Sequence, residues 1–102
     1  MKIDADIIQD LYHYSLSMQG DSNSAFPAET LCERLAASNN CKRILERLDP
    51  EDWQEWDDVI PRTDRLTSVD DLVHCGQAVQ SKVEQWAKKH GVDPRSGESF
   101  NA

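Results

Sequence analysis

The sequence predicts an all-α fold, a compact bundle of four to five helices, and three observations carry that expectation. Apolar residues recur at steps of three and four through most of the chain, which places them on one face of a helix. No segment shows the period-two alternation or the β-branched density of a strand. Helix-start and helix-stop residues, with short runs of Gly, Ser, Asn and Asp, punctuate the periodic stretches.

Ile3, Ile7, Leu11, Tyr14 and Met18 form the stripe of a first helix, widened by Ile8 and Tyr12. Asp4, Asp6 and Asp10 stand in its early turns, where negative charge meets the positive end of the helix dipole. "QGDSNSAFP" then reads as a loop. Pro27 suits the first position of a second helix, because its missing N–H would be unpaired there anyway. Leu31, Cys32, Leu35 and Ala36 give that helix an apolar face. "SNN" at 38–40 competes for backbone hydrogen bonds, so the 27–48 region reads as two helices, the second carrying Ile44, Leu45 and Leu48, with one bent helix as the alternative.

"DPEDW" is the next start signal: Asp49 as cap, Pro50 in the first turn and Asp52 as capping partner. Trp53, Trp56 and Ile60 share a face with Val59 beside them, which assigns both indoles to the core, and Pro61 stops the helix. After the polar "RTDRLTS", Thr67 or Ser68 followed by Asp70 or Asp71 gives a second capping pattern. Val69, Leu72, Val73, Gly76, Val79, Val83, Trp86 and His90 then keep helical spacing over about 68–90, roughly 33 Å of helix. This is expected to be the longest or central member of the bundle. Lys88, Lys89 and His90 suit its last turn, and Gly91 ends it. Residues 1–92 are read as one helical domain and 93–102 as a loose polar tail, with Phe100 able to dock back.

A chain of 102 residues is long enough for one modest core without metal or disulfide staples. It is 38% hydrophobic and 29% charged, the balance of a globular protein. No apolar run reaches membrane-spanning length, and "MKIDADIIQD" has acids where a signal peptide needs a basic start, so a cytoplasmic protein is expected. Cys32, Cys41 and Cys75 lack framework spacing and read as free thiols. Nineteen acids against eleven bases give a net charge of −8, which argues against direct binding to nucleic acid or to an anionic membrane.

Catalytic chemistry finds no signature. Structural zinc ligands come in close pairs such as C-x2-C, which do not occur, and the adjacent His74 and Cys75 point about 100° apart on a helix. Cys32 lies near a helix start, but Glu33 beside it opposes a thiolate. His13 reads as a partly exposed helix residue. Asp57 with Asp58, and Asp70 with Asp71, are carboxylate pairs of the kind that usually coat a solvated helix face. No phosphate-cradling glycine loop is present. Neither an enzyme nor a cofactor or metal is expected.

Charge segregation is the most informative feature. Residues 49–71 hold nine acids and two bases, a net of −7, whereas residues 34–48 hold four bases and one acid, a net of +3. Either Arg34, Lys42, Arg43 and Arg47 neutralise the acidic helix, or an acidic face remains for a basic partner. Four bases cannot match nine acids. The expected function is therefore that of a small acidic binding module, an inhibitor or regulator presenting carboxylates to a basic, nucleic-acid-handling protein. Anti-CRISPR and immunity-type proteins offer an analogy of size and charge alone. The expected contact residues are Glu51, Asp52, Glu55, Asp57 and Asp58, extended by Asp70 and Asp71. The alternative is a structural or accessory subunit of a larger assembly, with self-association possible through leftover apolar residues such as Ile8, Tyr12, Trp86 and Phe100.

Overall fold

The computed structural model describes residues 2–60 and 68–99. Four helices make up the described chain: α1 Ala5–Met18, α2 Leu31–Glu46, α3 Pro50–Trp56 and α4 Val69–His90. A single 3-10 turn, Asp57–Val59, follows α3. The fold is the expected compact all-α bundle, with four helices. The expectations for Pro61, for the "RTDRLT" connection and for Phe100 lie outside the described residues.

Local signals account for most helix ends. Asp4 caps α1, its side chain accepting from the Ile7 N–H at 2.9 Å. Ser68 and Asp71 form the expected reciprocal capping box of α4, and Gly91 closes that helix in the left-handed conformation at φ 65°.

Two expectations about α2 are corrected. Its start is Thr30, which shares a capping box with Glu33, and Pro27 lies in the preceding loop. The "SNN" stretch does not divide the region: Leu31–Glu46 is one helix. Ala37, Ser38, Cys41 and Leu45 are buried along one side of it, and that packing outweighs the intrinsic reluctance of Ser and Asn to sit in a helix interior.

The longest helix is α4, as expected, and α1 is packed between it and α2, which touch each other less extensively. Ile8, Leu11, Tyr12, Leu16 and Met18 are buried, and so are His13, Ser15 and Ser17. The contact with α4 is close at Gly76, where a Cβ would stand 2.7 Å from the Ser15 carbonyl oxygen. Glycine is therefore required there for space.

Burying polar residues on α1 demands partners, and the flanking segments supply them. His13 Nδ1 accepts from the Ala25 N–H at 3.0 Å, which leaves Nε2 as the protonated nitrogen, donating to the Arg95 carbonyl at 2.8 Å. Ser24 Oγ donates to the His13 carbonyl at 2.6 Å and lies 2.7 Å from Ser17 Oγ, which also reaches the Phe26 carbonyl. The 21–27 loop is thereby fixed to α1.

The expected loose tail is also fastened, as far as Ser99. Asp93 organises a turn, accepting from the Arg95 N–H at 3.0 Å and from Ser96 Oγ at 3.2 Å. An antiparallel bridge joins Val92 to Ser99. Sequence reading placed His13 partly in solvent; in fact it is the buried link between this turn and the loop.

Replacing His13 with Ala strands a backbone donor in the loop and an acceptor in the turn. It is expected to lower unfolding free energy by about 3 kcal/mol in urea titrations, and a loss under about 1 kcal/mol would contradict the linking role. The thiols give a second check. Cys32 is exposed, while burial, with Cys75 nearby, pushes the Cys41 thiol up, and burial also raises Cys75. Ellman's reagent should show one fast-reacting thiol in the native protein, and Cys32→Ser should abolish that phase; survival of the fast phase would show that a buried thiol is reachable.

Candidate functional site

Because α3 starts at Pro50, its first residues are fixed: proline's preset φ nucleates the turn, and Glu51 and Asp52 gain from the helix dipole. Asp49 holds the N-cap position by backbone geometry, but its side chain makes no capping hydrogen bond, contrary to expectation. Trp56 is buried at 1% exposure and anchors the helix to the core. Trp53, expected beside it in the core, is 37% exposed. A seven-residue helix has room to bury one indole on the bundle, and the second lies about 60° round the axis.

Anchoring through Trp56 leaves Glu51, Asp52 and Glu55 along one wall of a cleft of about 390 Å³ between α3 and the C-terminal half of α4. The opposite wall is Lys82, Gln85, Trp86, Lys89 and His90. These residues recur at steps of one, three and four, beside the buried stripe Val79, Val83 and Ala87. Lys2 and Ile3 close one end, and Asp49 and Trp56 complete the lining. The Trp86 and His90 rings stack, with centroids 4.0 Å apart and planes 19° apart.

The walls carry opposite charge. Among the described residues, Glu51, Asp52 and Glu55 make no ion pair. Nor do the bases expected to neutralise them pair with them among the described residues. Arg34 Nε donates to the Met18 carbonyl at 3.0 Å at the end of α1, and Lys42 stands 4.0 Å from Glu46 in its own helix. Arg43 and Arg47 make no ion pair among the described residues. Lys82 does pair with an acid of this region, its Nζ lying 3.3 Å from Asp58 Oδ1. That pair is open to solvent on the Asp58 side, 69% exposed, and contributes little stability.

The seven expected contact residues therefore separate into three groups. Glu51, Asp52 and Glu55 share the cleft wall. Asp57 and Asp58 sit in the 3-10 turn outside it, with Asp58 held by Lys82. Asp70 is exposed and Asp71 belongs to the α4 capping box. Twelve residues separate Asp70 from Lys82, roughly 18 Å along the helix. The two acids at the start of α4 are thus a separate feature.

Sequence reading missed the basic and aromatic wall. Trp86 and His90 keep the helical spacing of the long helix but flank its buried stripe, and Lys82 and Lys89 lie at the same four-and-three spacing around Trp86. That spacing is the signal that would have found them.

Other chemistry is not assembled. His13 has both ring nitrogens in backbone hydrogen bonds, and His74 is exposed. Among the described residues, no group of His, Cys, Asp and Glu is arranged to hold a metal ion. No helix among them is long and apolar enough to cross a membrane. No protein-family model, no curated protein and no solved structure matches the chain.

Proposed function

We propose that the protein is a binding module that engages the basic surface of a protein partner through α3. The observation that carries this reading is the set of carboxylates Glu51, Asp52 and Glu55, gathered on one wall without an internal ion pair among the described residues. Like charges held together without counterions repel one another, and a cationic surface relieves that repulsion as it docks. Trp53, half-exposed on the same short helix, supplies the kind of aromatic anchor that dominates many interfaces. Inhibition or regulation of a nucleic-acid-handling protein is the version of this reading that suits a net charge of −8, since carboxylates then stand where phosphates would.

The second reading, a subunit of a larger assembly, has lost two of its candidate contacts, because Ile8 and Tyr12 are buried. It draws instead on a second groove where Phe26, 42% exposed, lies with Tyr14, Pro27 and Ala36, and on Leu31, 48% exposed. Measuring mass in solution by light scattering separates the two, since self-assembly through that patch is abolished by Phe26→Asp.

The test of the first reading is affinity capture from host lysate with the wild-type chain and with Glu51→Lys, Asp52→Lys and Glu55→Lys combined. A basic protein retained at low salt, released as salt screens the contact and not retained by the variant is the expected result. Retention that ignores both salt and charge reversal contradicts the assignment. All three positions are at or near the surface, so the variant is expected to keep its helical circular-dichroism spectrum.

A further inference from the structure

The cleft is more specific than an acidic face. Its volume of about 390 Å³ lies within the roughly 300–1,000 Å³ range of pockets that take small ligands. One wall offers Glu51, Asp52 and Glu55, which make no ion pair among the described residues, the other offers Lys89, and Trp86 lies on that same wall with Lys2 closing one end. Lys82 is already engaged by Asp58, so among the described residues Lys2 and Lys89 are the lysines left to an incoming group. A purely cationic ligand would meet those lysines, and a purely anionic one would meet the carboxylates. Opposed walls of this kind suit a ligand that carries both charges at a separation of several bonds.

We propose that the cleft is a binding seat for arginine bearing a free carboxylate, as the amino acid itself or as a chain end. The guanidinium turns to Asp52 and Glu55, the carboxylate to Lys89, and the aliphatic stem covers the Trp86 edge. Arginine is favoured over lysine because a planar, five-donor cation can serve more than one carboxylate while lying against an indole. This deepens the binding reading above, since it uses the same carboxylates. It is tested on the isolated protein without any partner.

The experiment is a titration followed through the tryptophan indole N–H signals in nitrogen–proton correlation spectra, with Trp86→Phe to assign its resonance. L-Arginine, agmatine, which lacks the carboxylate, and L-citrulline, which lacks the charge on the side chain, are compared. Arginine should shift the Trp86 signal, and the other two should bind at least about tenfold more weakly, as expected when one charged contact is lost. Lys89→Ala should reduce arginine to the level of agmatine, and Glu55→Gln should reduce it to the level of citrulline. Both residues are exposed, so the fold is retained. The tripeptide Gly-Gly-Arg separates the sources: binding equal to arginine assigns a chain end, and weaker binding assigns the free amino acid. Equal shifts with all three small molecules, or none up to about 20 mM, overturn the proposal. A protein that binds arginine yet captures no basic partner would keep this inference and lose the partner reading.

Discussion

The packing of α1 between α2 and α4 is the constraint on which the rest of this structure depends. This helix is covered on several sides, and it carries polar residues into the interior, His13, Ser15 and Ser17 among them. An unpaired buried polar group costs about 1–3 kcal/mol, so each of these needs a partner within reach. Ser15 finds its partner within the helix, in the Tyr12 carbonyl, whereas His13 and Ser17 draw on chain segments that would otherwise be loose: the loop through Ala25 and Phe26, and the turn through Arg95. Ordering of these segments is thus a consequence of the central helix.

The same packing sets up the cleft. Gly76 lets α4 lie close against α1, with Leu72, Val79 and Val83 inward. The next face of α4, with Lys82, Trp86 and Lys89, is then turned toward α3. Trp56 holds α3 to the core, while the Asp58–Lys82 pair joins the following turn to α4 near one end of the cleft. Short helix, single indole anchor and opposing lysines together produce two walls of unlike charge that do not close on each other.

Much of the fold is legible in the residues, and the failures have identifiable causes. The long helix is readable because three independent signals agree over Ser68–Gly91: the capping box, the apolar stripe and the terminal glycine. The start of α2 was also written in the chain, as T-x-x-E at Thr30 and Glu33, but Pro27 offered a competing and weaker signal. Asn and Ser at 38–40 argue locally for a break, and only tertiary burial of Ala37, Ser38 and Cys41 overrides them. His13 could not be read at all, since its partners are 12 and 82 residues away. At the candidate site, composition revealed the acid wall. The facing wall stayed hidden because helical spacing alone does not say whether Trp86 points inward or sideways.

Among the described residues, α3 carries more negative charge than its neighbours pair. The most direct measurement is the melting temperature in sodium chloride between about 20 and 200 mM, compared with a variant in which Glu51→Gln, Asp52→Asn and Glu55→Gln are combined. Uncompensated repulsion predicts that the wild-type chain gains stability as salt screens it and that the neutralised variant gains distinctly less. A wild-type melting temperature that falls with salt, or a response identical in the two proteins, would show that these carboxylates are already matched and contradict the account.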